Sequence, residues 1–145
     1  MNRSDVLPSL VLSVHALGRI AARDAGNDAP ATQWRTLSLL ERGGPRRVGA
    51  LAIAARTTQP GMTRLLGALE RDGYTRRTPD PEDSRAAVVE ITTAGSEALG
   101  AWRRQFREVL APRFDDLDDD DWAAMIRTAE ILAARTTAEP TGDER

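Results

Sequence analysis

The sequence predicts a mostly α fold that contains one small β-hairpin. Through most of the 145 residues, apolar side chains recur every three or four positions, which is the spacing of one face of a helix. Glycine and proline interrupt this pattern at 43–45 and at 73, so several separate helices are expected. Between 74 and 91 the helical period is lost around a loop rich in proline and acidic residues, which is typical of a hairpin.

The first predicted helix carries an apolar stripe and ends near Gly26-Asn27. The stripe consists of Leu7, Leu10, Val11, Val14, Leu17, Ala21 and Ala22. Pro30 and Thr32 open a second helix. It stops at Gly43-Gly44-Pro45, because two glycines and a proline do not continue a helix.

Two short helices joined by a tight turn follow. The residues of the third helix, 47–55, that are predicted to face the core are Val48, Leu51 and Ile53. Thr58 suits the N-cap of the fourth helix, and Pro60 falls in its first turn, where a missing N–H is tolerated. Gly73 ends this helix in the usual way. The pair is therefore predicted to form a helix-turn-helix.

A hairpin and two longer helices complete the predicted order. Strands are predicted over 74–78 and 87–91, joined by a turn-rich loop at 79–84. A hairpin that directly follows a helix-turn-helix is a wing. Thr92-Thr93 and Asp118 are predicted to cap the fifth and sixth helices.

The composition excludes several classes of protein. There is no cysteine, and His15 is the one histidine, which excludes disulfides and argues against a metal site built from His or Cys. No phosphate-binding glycine-rich loop or Ser-x-x-Lys motif is present, so neither an enzyme nor a cofactor is expected. No apolar run approaches the roughly 20 residues of a membrane span, and the polar residues Arg19, Arg23 and Asp24 argue against a signal peptide. A cytoplasmic protein without membrane contact is therefore expected.

The net charge of −2 is distributed unevenly along the chain. Residues 1–30 have no net charge, residues 31–92 carry ten arginines and seven acidic residues, and residues 93–145 carry seven and twelve. All twenty basic residues are arginine, whose guanidinium suits bidentate contacts to phosphate and guanine. The positive excess lies in the middle segment, where a DNA-binding unit is predicted.

Motifs in this middle segment resemble those of the MarR family of bacterial regulators. The family's wing reads Asp-x-Arg, then strand residues, then Leu-Thr, and this chain has Asp83-Ser84-Arg85 followed by Ile91-Thr92. Three further motifs are typical: Asp80-Pro81-Glu82-Asp83, Met62-Thr63-Arg64-Leu65-Leu66 and Leu69-Glu70-Arg71-Asp72-Gly73-Tyr74. The motifs cover 48–95, and the flanking helices match only in pattern. The resemblance implies a homodimer on double-stranded DNA, with Asp83 orienting Arg85 rather than contacting DNA itself.

The predicted organisation is a winged helix-turn-helix flanked by N- and C-terminal dimerisation helices. The predicted parts are an N-terminal dimerisation helix at 1–30, a winged helix-turn-helix DNA-binding domain at 31–92, C-terminal dimerisation helices at 93–136 and a disordered tail at 137–145. The apolar stripes of the first, fifth and sixth helices exceed what a monomeric winged helix needs to cover itself. Two copies are therefore expected to pair through them.

A recognition helix enters the major groove with its N-terminal side chains at base edges. The residues predicted to contact DNA are Thr57, Thr58, Gln59, Pro60, Gly61, Thr63, Arg64 and, at the wing tip, Arg85. Gln59 suits adenine and Arg64 suits guanine, and either also suits a phosphate. Pro60 and Gly61 leave room for close backbone approach, and Arg85 is placed to reach the adjacent minor groove.

Each of these residues also has a plainer structural interpretation. Thr58 suits helix capping better than base reading. In the plainer interpretation Arg64 and Arg85 are ordinary surface charges, although their places in the motifs favour DNA contact. Arg46 and Arg47 suit phosphate contacts and a solvated surface equally well, and the sequence does not favour either interpretation. Arg76 and Arg77 alternate faces on a strand, so at most one of them points at DNA.

Two residues are candidates for an effector pocket. His15 lies on the first helix and Trp34 on the second, although an interface histidine and a core tryptophan are the simpler interpretations. The acidic run at 115–121 is explained by helix capping and a solvated face. It lacks the central glycine and final glutamate of a calcium loop, so no metal site is predicted.

The sequence thus predicts a sequence-specific transcriptional regulator of double-stranded DNA, a repressor released by a small aromatic or drug-like effector. Two-fold symmetry would place two recognition helices about one DNA turn apart, so an inverted-repeat operator is expected. Two alternatives stay open: an effector-independent DNA-binding regulator, and a winged-helix protein-interaction module without DNA binding. The net acidity favours the last, whereas the arginine excess of the middle segment favours DNA.

Overall fold

The computed structural model describes residues 2–27 and 29–136. Its elements in chain order are α1 (Arg3–Asp24), α2 (Ala31–Gly43), α3 (Val48–Ala54), α4 (Gln59–Arg71), β1 (Thr75–Pro79), β2 (Ala87–Ile91), α5 (Thr93–Leu110), a 3-10 turn (Ala111–Arg113) and α6 (Asp119–Thr136). The mostly α fold with one hairpin, predicted from the sequence, is confirmed. The tail predicted at 137–145 lies outside the described residues.

The helix-turn-helix and the wing enclose one hydrophobic core with α2 and α5. Its buried residues are Leu37, Leu40, Leu51, Ala52, Ala55, Met62, Leu66, Leu69, Val89 and Leu99. Three of them, Met62, Leu66 and Leu69, lie on one face of α4, and Leu65 beside them is half-buried. Full burial of each such large side chain contributes about 1.5–3 kcal/mol. The core therefore holds α4 with its polar first turn facing outward.

The inward face of α3 differs from the prediction at one position. Leu51 is fully buried and Val48 is half-buried, but Ile53 is 80% exposed, so the expected inward position of Ile53 was wrong. Two positions along a helix correspond to roughly 200° of rotation, which turns Ile53 away from the side that Leu51 occupies. Ala52 and Ala55 take up the inward positions instead.

The wing is an antiparallel hairpin whose register runs from Thr75 opposite Ile91 to Pro79 opposite Ala87. Its first strand begins one residue later than predicted. Arg46 adds a bridge that the sequence did not predict, because its N–H donates to the Val89 carbonyl at 3.0 Å and its carbonyl accepts from the Val89 N–H at 2.8 Å. This bridge ties the segment before α3 to the wing.

The predicted caps of the two C-terminal helices are present. The Thr92 hydroxyl oxygen accepts from the Gly95 N–H at 3.1 Å, and an Asp118 carboxylate oxygen accepts from the Asp121 N–H at 2.8 Å. A side chain at Gly95 would bring its Cβ to 2.2 Å from the Tyr74 carbonyl oxygen, so this glycine permits α5 to start against the wing.

The chain divides into two compact units between Leu110 and Ala111. The segment predicted to hold the C-terminal dimerisation helices, 93–136, therefore spans both units. Within the second unit, the rings of Phe114 and Trp122 lie 6.3 Å apart, and the helix that carries Trp122 has no buried residue.

Helix α1 packs on α5 and leaves most of its large apolar side chains in contact with solvent. Its exposed residues of this kind are Val6, Leu7, Val11, Leu12 and Val14. By length and composition alone α1 is long and apolar enough to cross a membrane, so the expectation that no segment approaches this criterion was wrong. Core helices of soluble proteins and N-terminal signal sequences meet the same criterion.

Candidate nucleic-acid interface

The first turn of α4 presents small polar groups on an exposed surface. The Thr58 hydroxyl oxygen accepts from the Gly61 N–H at 3.1 Å, which confirms the predicted cap. The Thr63 hydroxyl donates to the Gln59 carbonyl at 2.9 Å. Pro60 lies in this turn, as the sequence predicted. The Gln59 side chain has no hydrogen-bond partner within the described part of the chain, so its amide is available to an external group.

The turn that joins α3 to α4 contains a left-handed residue that is not glycine. Arg56 has a φ of 52°, whereas glycines hold the other positive-φ positions among the described residues. The Thr57 N–H donates to the Ala52 carbonyl at 2.9 Å, the pattern of a Schellman motif. The Ala55 carbonyl accepts from Arg35 Nη1 at 3.2 Å. A residue with a Cβ in this conformation costs about 1–2 kcal/mol.

Two exposed arginines beside this first turn are unpaired. The guanidinium groups of Arg56 and Arg64 form no hydrogen bond or ion pair with any residue that the structure describes. Other arginines of the winged helix are neutralised: Arg77 pairs with Glu70 at 2.6 Å, Arg76 pairs with Glu90, and Arg47 pairs with Asp80 at 2.7 Å. Unpaired guanidinium groups produce a positive potential that complements phosphate.

The wing tip carries a highly exposed arginine held by a neighbouring carboxylate. The side chain of Arg85 is 91% exposed. One oxygen of Asp83 accepts from the backbone N–H of Arg85 at 3.1 Å and from its Nε at 3.3 Å. The contact between Asp83 and Arg85 that the resemblance implied is therefore present, while the role of Arg85 toward DNA stays a prediction.

The loop end of β1 is joined to the N-cap of α3 by an ion pair. Asp80 is only 8% exposed, and its carboxylate accepts from the Glu82 N–H at 2.9 Å and from Arg47 Nε at 2.7 Å. The Glu82 N–H and then Arg47 hold the pKa of Asp80 below its usual value, and the hydrogen bond to Asp80 raises the pKa of Arg47. Arg47, predicted to bind phosphate or lie solvated, is thus bound to the wing.

A cavity of about 530 Å³ lies between α1, α2 and α5. His15 and Trp34, the two residues predicted for an effector pocket, both line it. The Trp34 ring stacks on Trp102 with centroids 5.4 Å apart and an interplanar angle of 20°. Phe106 extends this wall, because its ring centroid lies 4.2 Å from that of Trp102. One wall of the cavity is therefore flat and aromatic.

The charged side chains that line this cavity are cationic. Arg19 and Arg35 contribute guanidinium groups, and no carboxylate side chain lies among the lining residues that the structure describes. Trp34 Nε1 is buried and has no hydrogen-bond acceptor among the residues that the structure describes. Flat aromatic rings beside guanidinium groups are complementary to a planar anion.

The comparisons with known proteins agree with this architecture. The MarR family model matches residues 30–87. The HTH-type transcriptional regulator Mb0904 of Mycobacterium bovis is 31% identical over 132 residues, which cover 90% of this chain and 92% of that protein. The chain belongs to the MarR family. The regulator ML2140 of Mycobacterium leprae is also similar, with 32% identity over 124 residues that cover 85% of this chain and 87% of that protein.

Solved structures share the fold of this MarR-family protein. The transcriptional regulator Tm0710 from Thermotoga maritima has a TM-score of 0.66 at 27% identity and covers 94% of this chain and 96% of its own. A MarR family protein from Bacillus stearothermophilus has a TM-score of 0.73 at 20% identity, with coverage of 94% and 99%. The predicted resemblance is confirmed: the chain is a helix-turn-helix transcriptional regulator, and its family consists of regulators rather than enzymes.

Sequence reasoning missed several residues that the structure places at these two sites. The left-handed Arg56 has no signal in the sequence, because glycine is the residue expected at such a position. Trp102 and Phe106 lie on α5, far from Trp34 in the sequence, and only the tertiary fold brings these rings together. The contact of Arg35 with Ala55 joins residues that are 20 positions apart.

Proposed function

We propose that this MarR-family regulator binds double-stranded DNA as a homodimer and represses transcription until a small aromatic or drug-like anion enters its cavity. The observation that carries the proposal is the exposed first turn of α4, flanked by the unpaired Arg56 and Arg64 and accompanied by the 91% exposed Arg85. These groups supply what a duplex requires: positive charge for phosphates and polar side chains for base edges.

In this proposal α4 enters the major groove and the wing reaches the adjacent minor groove. The residues proposed to contact DNA are Thr57, Thr58, Gln59, Pro60, Gly61, Thr63, Arg64 and Arg85. Because the Thr58 hydroxyl already caps α4, we assign it to a phosphate rather than to a base. Asp83 orients Arg85 and does not itself contact DNA.

The exposed apolar surfaces of the terminal helices support a homodimer. On α1 these exposed residues are Val6, Leu7, Val11, Leu12 and Val14, and on α6 they are Trp122, Met125, Ile126 and Ile131. Exposed apolar side chains of this kind mark an interaction surface on each helix. A second copy that covers it by two-fold symmetry places two α4 helices on an inverted-repeat operator. Binding to chromosomal DNA implies a cytoplasmic location.

The cavity supports an effector that is flat and negatively charged. Trp34 and Trp102 provide the stacking surface, and Arg19 and Arg35 provide the counter-charge, with His15 at the α1 side. Such an effector acts only through a difference in affinity between the DNA-bound and free forms of the dimer.

Fluorescence anisotropy with a labelled duplex from the region upstream of the protein's own gene tests DNA binding. We expect affinity that falls steeply as salt rises, because bound arginines release counterions from phosphates. Arg85→Ala should cost about 1–3 kcal/mol of binding. Arg42→Ala is the control, since Arg42 is exposed on α2 and belongs neither to the first turn of α4 nor to the wing. Equal affinity of the two variants would remove the wing from the interface.

The two alternatives predict different results. An effector-independent regulator binds the duplex but shows no thermal stabilisation by any aromatic acid. A protein-interaction module leaves the duplex unbound even at low ionic strength, and the 80% exposed Ile53 on α3 is the feature that favours it.

A further inference from the structure

We infer that Arg35 couples the cavity to the turn between α3 and α4, so that an anion in the cavity loosens the start of α4. The inference rests on the proposed function and names the side chain through which regulation would act. It concerns a single residue that contacts both regions.

Arg35 lies on α2, where its side chain lines the cavity between α1, α2 and α5. Its Nη1 also donates to the carbonyl of Ala55 at 3.2 Å. Ala55 is the C-cap of α3 and is only 1% exposed. The carbonyl groups at the end of a helix lack intrahelical donors, so a guanidinium at this position satisfies one of them and complements the helix dipole.

The turn held by this hydrogen bond is strained. Arg56 follows Ala55 directly and has the positive φ of 52°. Two backbone hydrogen bonds close the turn before the N-cap Thr58: the Arg56 N–H donates to the Ile53 carbonyl at 3.0 Å, and the Thr57 N–H donates to the Ala52 carbonyl at 2.9 Å. A strained conformation persists only where its surroundings over-determine it. Loss of the Arg35 contact therefore releases the segment that sets the position of the first turn of α4.

An anionic ligand competes directly with the Ala55 carbonyl for Arg35. A carboxylate is a stronger acceptor for guanidinium than a neutral carbonyl, and it binds bidentately. Among the described lining residues, the other charged or titratable groups are His15 and Arg19 on α1, and neither side chain has a hydrogen-bond partner in the described part of the chain. They add affinity for an anion, whereas Arg35 alone of these three contacts the turn.

The test compares Arg35→Gln with Arg42→Gln. Both remove one positive charge from α2, but Arg42 is exposed and lines neither the cavity nor the turn. Amide hydrogen exchange at Thr57 reports the turn, anisotropy reports duplex binding, and benzoate is the probe for the cavity. Quenching of tryptophan fluorescence reports its binding beside Trp34 and Trp102.

We expect Thr57 to exchange faster in Arg35→Gln than in Arg42→Gln, and duplex affinity to fall about 5–10-fold, at the lower end of common coupling factors. In the wild type and in Arg42→Gln, benzoate accelerates the same exchange and weakens duplex binding. In Arg35→Gln, benzoate changes neither the exchange at Thr57 nor the duplex affinity any further. Arg35→Lys keeps the positive charge but lacks the planar guanidinium, so its Thr57 exchange and duplex affinity should lie between those of the wild type and of Arg35→Gln.

Equal Thr57 exchange in the two glutamine variants overturns the inference, and so does full benzoate sensitivity of duplex binding in Arg35→Gln. Wild-type protein that shows neither fluorescence quenching nor altered exchange with benzoate overturns the ligand step. If no duplex binds the wild type, the proposed function fails, while the exchange comparison still decides whether Arg35 holds the turn.

Discussion

The winged helix and the terminal helices use apolar residues in different ways. The winged helix buries a continuous core of large side chains from α2, α3, α4 and the wing, together with Leu99 of α5. By contrast, α1 buries only Ala21, and α6 buries no residue at all. An apolar stripe on a helix therefore indicates an apolar face, but it does not identify the surface against which that face packs. The winged helix covers its own apolar faces, whereas α1 and α6 leave large apolar side chains exposed.

The largest expected effect tests the self-sufficiency of the winged helix. Leu66→Ala in the core should lower the free energy of unfolding by about 2–5 kcal/mol, because it removes buried methyl groups and leaves a cavity. Ile53→Ala on the 80% exposed position of α3 is the control and should change it by less than about 0.5 kcal/mol. Urea denaturation measures both. Similar losses for the two variants would contradict the burial described for this region.

The next effect tests whether α1 needs a second copy. Leu7→Ser combined with Val11→Ser replaces side chains that are 62% and 55% exposed. We expect the dissociation constant of the dimer to rise at least tenfold, equivalent to about 1.4 kcal/mol, because the substituted face buries less apolar surface on association. Sedimentation velocity measures this change, with the polar exchange Ser13→Asn on the same helix as control. A double variant that dimerises as strongly as the control would show that α1 is covered by something else.

A smaller effect of opposite sign is expected inside the winged helix itself. Arg56→Gly should raise the free energy of unfolding by about 1 kcal/mol, since glycine adopts the left-handed region without the Cβ penalty. Arg56→Ala removes the same charge but keeps the Cβ, so it should give no such gain. Differential scanning calorimetry distinguishes them. A gain of equal size in both variants would assign the effect to charge rather than to backbone conformation.

The smallest effect concerns the acid sensitivity of the ion pair between Asp80 and Arg47. The folded protein holds the pKa of Asp80 below its usual value, through the Glu82 N–H and then Arg47. Such a group stabilises the fold above its unfolded pKa of roughly 3.9, and the contribution disappears as pH falls through the lowered folded pKa. Asp80→Asn should therefore reduce the dependence of thermal stability on pH below about 4. Asp115→Asn is the control, and identical pH profiles for the two variants would disprove this role of Asp80.

Local signals predicted the element order of this chain well. Glycine and proline breaks, the Thr58 cap and the loss of the helical period around the wing loop depend on residues close in sequence, so they can be recognised without a fold. The family motifs also lie within single elements and their turns. The error at Ile53 arose because a helix of seven residues is too short for its periodicity to define the inward face.

Only those parts of the candidate sites that lie within short segments were predicted from the sequence. Sequence reasoning named the first turn of α4, the wing tip, His15 and Trp34. It did not show that Trp102 stacks on Trp34, that Asp80 captures Arg47, or that Arg35 reaches the Ala55 carbonyl. These contacts join residues that are distant in the chain, and no local propensity encodes such a pair.

The sequence by itself determined the helices, the hairpin, the family and the surface that faces outward from α4, because each follows from spacing and residue type over short segments. Only the tertiary structure decided which arginines are neutralised and which stay unpaired. It also decided that α1, α2 and α5 leave a cavity between them. The physical reason is that charge pairing and cavity shape depend on distances between elements, which the packing of the core sets.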